Sequence, residues 1–158
     1  MKKVSDTDHK KYFDEAVLVA QKSLCLRSKC GSVIVQDGAI IGMGYNAPPL
    51  DRVEERKCAE TFRSDVKPKY DTTCCVHAEW RAIIDALKNN PAKVSGSRLY
   101  FIRVDDKGRP KQSGKPFCTV CSRLAYDVGI AQFALWGEQG ARVYDTKDYN
   151  EESYQYFR

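Results

Sequence analysis

The sequence predicts an α/β fold, a three-layer α-β-α sandwich around a mixed five-stranded sheet. Three observations carry that prediction. Segments with helical spacing of apolar residues interleave with short β-branched and aromatic runs, in the order α-β-β-α-β-α-β-β-α. Asp37-Gly38 separates two of the apolar runs, the short-range signature of a β-hairpin. The 158 residues suit a single domain over 1–158 that can bury its own core, and no internal repeat or low-complexity stretch suggests another architecture.

Residues 6 to 24 read as a helix: Ser5 or Asp6 can cap its start, and Tyr12, Phe13, Ala16, Val17, Ala20 and Leu24 recur at helical spacing. Val33-Ile-Val35 and Ala39-Ile-Ile-Gly42 flank the hairpin turn as antiparallel strands, and the hairpin ends at Tyr45-Asn46 beside a Gly-rich turn, Gly42-Met43-Gly44. Residues 47 to 73 lack sustained periodicity and hold Pro48, Pro49 and Pro68, which describes a long loop with one short helix around Val53 to Phe62. Long loops in compact domains are often functional. A helix runs from Val76 to about Lys88 with Ala82, Ile83, Ala86 and Leu87 inward, stopped by Asn89-Asn90-Pro91. Leu99 to Val104 is a buried strand, Asp105 to Gly108 opens another loop, and Cys118 to Val128 is a helix closed by Gly129 just past its end. Ile130 to Trp136 and Ala141 to Tyr144 are strands, and Tyr149 to Phe157 is a terminal helix.

Apolar residues make up 42% and charged residues 30%, ordinary values for a soluble globular protein, and no run approaches the roughly 20 apolar residues of a membrane span. No apolar stretch follows Met1-Lys2-Lys3 to serve as an export signal, so a cytoplasmic chain is expected. Seven cysteines in that compartment argue for thiols and metal ligands rather than disulfides. The formal net charge is +5 with the basic residues scattered, which disfavours a nucleic-acid partner.

One constellation carries chemistry: His77-Ala78-Glu79, followed downstream by Pro116-Phe117-Cys118-Thr119-Val120-Cys121. Zn²⁺ takes imidazole nitrogen and thiolate sulfur in a tetrahedron, and a catalytic site uses three protein ligands so that the fourth position can hold water. His77, Cys118 and Cys121 make three. Zinc brings the pKa of such a water near neutrality, yet protons must still be carried to the substrate. Glu79, two residues beyond the histidine at the start of a helix, is placed to shuttle them rather than to bind metal. Other readings exist for the separate motifs. A lone C-x-x-C is often a structural zinc knuckle or redox pair, and a lone His at a helix start is often a cap or core residue. A zinc-stabilised binding module without activity would close the site with a fourth ligand and give Glu79 no role.

In this arrangement the chain resembles the zinc-dependent cytidine and deoxycytidylate deaminase family, whose signature joins a ligating His, a non-ligating Glu two residues on, and P-C-x-x-C. Gly31-Ser-Val-Ile-Val-Gln-Asp-Gly38, Ile40-Ile-Gly-Met-Gly-Tyr-Asn-Ala-Pro-Pro49 and Cys75-Val-His-Ala-Glu-Trp-Arg-Ala-Ile83 resemble successive blocks of the deoxycytidylate branch. Two positions depart from it: Phe117 separates the proline from the first cysteine, and Arg81 stands where that branch often has Asn. The resemblance implies Zn²⁺ as cofactor, Glu79 as the catalytic residue, a homo-oligomer, and hydrolytic deamination of a cytosine nucleotide, dCMP to dUMP and ammonia. Another nucleoside, a free base or a nucleic-acid base is the alternative substrate.

The resemblance also implies that Asn46 hydrogen-bonds the sugar and that the backbone at Ala78 meets the pyrimidine edge. Arg27, Lys29 and Arg81 are candidates to hold a phosphate, since a guanidinium forks onto phosphate oxygens, and an ordinary ion pair is the other reading for each. Of Trp80, Phe117, Tyr126 and Trp136, Phe117 is the candidate to stack on a base. Relatives of the deoxycytidylate type sometimes carry a second, structural metal near the long loop. Cys58 with Cys74 or Cys75 and a hairpin-side cysteine, Cys30, could build one here; otherwise these residues and Cys25 are buried thiols.

Overall fold

Ten helices and strands follow one another in the computed structural model, which describes residues 5–58 and 73–156. They are α1 (Asp6–Ala20), β1 (Lys29–Gln36), β2 (Ala39–Tyr45), α2 (Ala78–Asn89), β3 (Arg98–Val104), β4 (Pro110–Lys111), α3 (Thr119–Asp127), β5 (Gln132–Gly137), β6 (Gly140–Asp145) and α4 (Thr146–Ser153). The sheet runs β2-β1-β3-β5-β6. Only β3 and β5 are parallel, joined through α3, so the sheet is mixed as expected. The expected five strands become six because the two-residue β4 folds back on the end of β3.

Strand alternation divides the core into two layers. Val33, Val35, Tyr100, Ile102 and Ala134 face α1, which packs Tyr12, Phe13, Ala16 and Ala20 onto them. Ile34, Leu99, Phe101, Phe133 and Leu135 face the opposite way, toward α2, α3 and α4. Among the described residues no helix is long and apolar enough to cross a membrane.

Several boundaries differ from the sequence expectation for identifiable reasons. The Ser5 hydroxyl accepts the Asp8 amide at 3.2 Å and starts α1 where expected. The helix stops at Ala20, before Leu24, because Ser23 and Leu24 turn to bond the Asn46 carbonyl at 2.9 and 3.3 Å. Asp37 and Gly38 both adopt positive φ, 51° and 80°, as a two-residue hairpin turn requires. Gly42-Met43-Gly44 is no turn: it is the middle of β2, and its glycines face α2. A Cβ on Gly42 would meet the Ala82 carbonyl at 2.5 Å, and one on Gly44 the Ala78 carbonyl at 2.5 Å. The helix therefore docks through its alanine stripe, which leaves Leu87 42% exposed rather than inward. α2 starts at Ala78, two residues after Val76, because Val76 pairs with Ala47 in an isolated bridge.

Gly129 ends α3 with φ 84°, its amide bonding the Tyr126 carbonyl and the Ile130 amide that of Ala125, a Schellman cap. α4 begins at Thr146, ahead of Tyr149, and ends at Ser153, ahead of Phe157, which lies outside the described residues. The helix expected around Val53 to Phe62 is replaced, over its described part, by one 3₁₀ turn, Val53–Glu55, which follows another at Pro49–Asp51. Phe62 and Pro68 lie outside the described residues.

Candidate active site

Two helix starts meet at the end of the sheet where β1 begins and β2 and β3 finish. His77 occupies the N-cap position of α2 and Cys118 that of α3, with Cys121 in the first turn of α3. Each is fixed from behind. α2 is seated on the β2 glycines, and α3 is tied to α4 by Ser153 donating to Thr119 Oγ1 at 3.0 Å and Ser122 to Asn150 at 2.9 Å. Both motifs thus sit on rigid elements, with thiols at a helix N-terminus where the dipole favours thiolate.

His77 Nδ1 lies 3.1 Å from Cys121 Sγ and 3.4 Å from Cys118 Sγ, and the three donors fall within 4.8 Å of one another. The two sulfurs also touch each other, in disulfide contact. A third donor within reach of both is what a metal requires and a disulfide does not. One imidazole and two thiols suit zinc and not a hard cation such as Mg²⁺. The Glu79 carboxylate does not belong to this donor group. It is buried in the first turn of α2, and that burial raises its pKa above the ordinary carboxylate value, while the charges of His77 and Arg103 pull the other way. Trp80 stacks on the His77 ring at 4.8 Å between centroids.

A cavity of about 550 Å³ opens onto His77 and Glu79, with Asn46, Ala78, Arg103 and Phe117 also in its wall. Ala78 is buried there, and its small side chain leaves room against the helix start. Asn46 is heavily engaged: its Oδ1 accepts from Ser23 Oγ at 2.6 Å and from the Cys30 amide at 2.8 Å, and its Nδ2 donates to the Ser28 carbonyl at 2.7 Å. An amide has two N–H donors, so one is left for a ligand.

Three sequence assignments change. Arg27 lines the cavity, its Nε donating to the Cys58 carbonyl at 2.9 Å, but Arg81 does not line it. Two residues along a helix is a rotation of about 200°, so Arg81 points away from Glu79. There it bonds Asp51 at 2.8 Å and the Pro48 carbonyl at 3.0 Å, and covers the Tyr45 ring. Lys29 is likewise absent from the cavity wall. Phe117 does line the cavity, but it is not an open platform for a base: the Arg103 guanidinium sits 4.4 Å from its centroid, and Phe101 and Tyr156 pack around it at 5.6 and 5.8 Å.

The third change concerns the remaining cysteines. Cys25, Cys58 and Cys75 bring their sulfurs within 4.8 Å of one another, and Cys74 lies 3.7 Å from Cys58. The hairpin-side cysteine in this candidate donor group is therefore Cys25, not Cys30. Cys30 is held in β1, its sulfur 3.4 Å from Ser28 Oγ, and burial pushes its thiol up to about 11. Cys25 sits in the connection before the strand and can turn to the loop.

Arg103 escaped the sequence reading. Its signal was present: the one charged residue inside the Leu99 to Val104 run shares a strand face with Phe101.

The sequence profile of the cytidine and deoxycytidylate deaminase zinc-binding region matches residues 6–136. The chain is 31% identical over 134 residues to the deoxycytidylate deaminase of Mycobacterium phage D29, covering 80% of this chain and 93% of that one. It is 34% identical over 128 residues to the deoxycytidylate deaminase of Schizosaccharomyces pombe, covering 78% of this chain but spanning only 34% of the yeast protein. Among solved structures, the dCMP deaminase of cyanophage S-TIM5 aligns with a TM-score of 0.56 at 22% identity over 82% of each chain. A cytidine deaminase from Burkholderia pseudomallei aligns at 0.57 with 18% identity over 89% of this chain and 94% of that one. Both share the fold.

Proposed function

Because the chain belongs to the cytidine and deoxycytidylate deaminase family, we propose that it is a zinc-dependent hydrolase converting dCMP to dUMP and ammonia. The observation that carries this reading is the convergence of one imidazole and two thiols at two helix starts, with that imidazole and one buried carboxylate on the wall of one cavity. His77, Cys118 and Cys121 would hold Zn²⁺, which when bound supplies a water polarised toward deprotonation near neutral pH. Glu79 would take the two protons of that water in turn, passing the first to N3 and the second to the amino nitrogen, so that C4 keeps the oxygen and the C–N bond breaks to release ammonia. Burial, which raises its pKa, suits a carboxyl that must both take and give a proton near neutrality. Its place in the first turn of α2 stabilises the carboxylate whenever the proton leaves. The free amide hydrogen of Asn46 meets the sugar, Ala78 admits the pyrimidine edge, and Arg27 stands at the cavity wall within reach of a phosphate.

The same reading takes Cys25, Cys58 and Cys75, with Cys74 beside them, as the ligands of a second, structural zinc. It also takes the chain to be cytoplasmic and homo-oligomeric. Ile84 and Leu87, exposed on α2, and Met43, exposed on the edge strand β2, supply apolar surface for such contacts.

A product assay tests the central reading. Purified zinc-loaded protein is incubated with dCMP, deoxycytidine, dCTP, cytosine, guanine and a single-stranded oligonucleotide while ammonia release is followed. Fastest turnover is expected for dCMP. Equal kcat/KM for dCMP and deoxycytidine would defeat the nucleotide assignment, and turnover of none of them would favour a zinc-stabilised binding module.

A further inference from the structure

Among the described residues, Arg103 is a cation with aromatic neighbours but no hydrogen-bond or ion-pair partner. It is the second-last residue of β3, on the face of Phe101, and lines the cavity, and its buried Nε finds no hydrogen-bond partner among the described residues. A buried polar atom without a partner is uncommon in folded proteins, and a structural arginine ordinarily finds a carboxylate or carbonyl. This one is held instead by rings: the guanidinium lies 4.4 Å from the Phe117 centroid and 5.9 Å from that of Phe101. A contact with ring faces attracts the cation but satisfies none of its N–H groups, which are left for something else.

The electrostatics of the cavity say what that is. Among the described residues of its wall, Arg27, Lys57 and Arg103 are basic and Glu79 alone is acidic. Arg27 already donates to the Cys58 carbonyl. An anion is therefore the group that completes this wall, and a flat guanidinium matches two oxygens of a phosphate.

We propose that Arg103, held against the Phe117 ring, is the specificity-determining residue that binds the 5′-phosphate of the nucleotide in this cavity. The proposal rests on the deaminase reading for the placement of the base beside Glu79. It also assigns work to Phe117, which stands directly before Cys118: the residue that holds the phosphate anchor adjoins a zinc-ligand candidate, so the distance from anchor to reacting end is fixed by one rigid segment.

The test uses zinc-loaded protein and two readouts, calorimetric binding of dUMP and deoxyuridine, and kcat/KM for dCMP and deoxycytidine. Arg103→Met keeps the aliphatic packing on Phe117 and removes charge and donors. It should weaken dUMP roughly 10- to 100-fold, the range of a charge-assisted hydrogen bond, and leave deoxyuridine within about twofold. Arg103→Lys, which keeps the charge without the fork, should recover part of the loss. Phe117→Leu should weaken dUMP by a smaller factor and have no further effect in the Arg103→Met background, the signature of two residues acting as one unit. Equal losses for dUMP and deoxyuridine, or no loss in either Arg103 variant, would overturn the proposal. The two readings fail separately. Wild-type protein that binds dUMP through Arg103 but turns over no dCMP sinks the deaminase reading alone. Turnover of dCMP that is indifferent to Arg103 sinks this one alone.

Discussion

Replacing Gly44 with alanine should displace the start of α2 and, with it, His77 and Glu79. The added Cβ would fall 2.5 Å from the Ala78 carbonyl oxygen and 2.5 Å from Arg81 Cβ, with the Ala82 amide nitrogen also inside contact distance. An ordinary contact begins at 3.4 Å, so the deficit is 3.4 − 2.5 = 0.9 Å. Two of the three neighbours are backbone of the first two turns of α2 and cannot rotate aside, so the helix itself must back away. Overpacking of this kind costs about 1–3 kcal/mol, or about 2–4 °C of melting temperature per kcal/mol in a chain of this size. The larger effect is on chemistry, since misplacing catalytic groups by about 1 Å can cost on the order of 10²-fold in rate. Thermal unfolding, zinc content and dCMP turnover would be measured on Gly44→Ala beside Lys88→Ala, whose side chain is exposed on α2 and should be neutral. Wild-type melting and turnover in Gly44→Ala would show that α2 is not seated on β2 as closely as described. Lower melting with full turnover would show that this seating does not position Glu79.

Cys118→Ala should lose one zinc per chain by elemental analysis together with all turnover; full occupancy in the variant would contradict the ligand assignment. Cys25→Ser should lower a stoichiometry near two toward one, whereas Cys30→Ser should not change it. Arg81→Ala should lower stability by no more than about 1 kcal/mol, because its pair with Asp51 is partly exposed, and should leave KM for dCMP unchanged. A large KM increase would return Arg81 to the substrate. His9 is held below its ordinary value of 6.5, first by burial and then by Arg98, so folded protein resists a proton that unfolded chain accepts. Stability is then full above pH 6.5 and falls as pH drops below it. Urea midpoints from pH 7 to 5 should decline, and decline less in His9→Gln; identical slopes would refute the assignment.

How much of this was legible in the sequence depended on whether a residue type has one meaning or several. Asp37-Gly38 has one, a two-residue turn, and the hairpin formed there. Glycine in Gly42-Met43-Gly44 has two, turn or close approach, and only the position of α2 decides between them. The terminal helix was misplaced because Thr146, Tyr149 and Ser153 alone are buried on α4, too few to set a period. At the candidate site, the motif residues were legible because zinc demands particular donors, and His77, Cys118 and Cys121 do converge. Residues chosen for charge alone fared worse. Arg81 is two residues past the motif yet on the far side of the helix, while Arg103 was hidden inside a run that reads as buried strand. Cys25 and Cys30 differ only in that one lies in a connection and the other in a strand, which composition does not record.

The central claim is that Glu79 carries protons for a hydrolysis at a zinc held by three other residues. Glu79→Gln, measured for zinc per chain and for dCMP turnover on the same preparation, tests it most directly. The substitution keeps the size of the side chain and its place in α2, so zinc content and melting should match the wild type. Turnover should fall by at least the roughly 10²- to 10⁴-fold that a positioned proton carrier contributes. Near-normal turnover with full zinc would contradict the account.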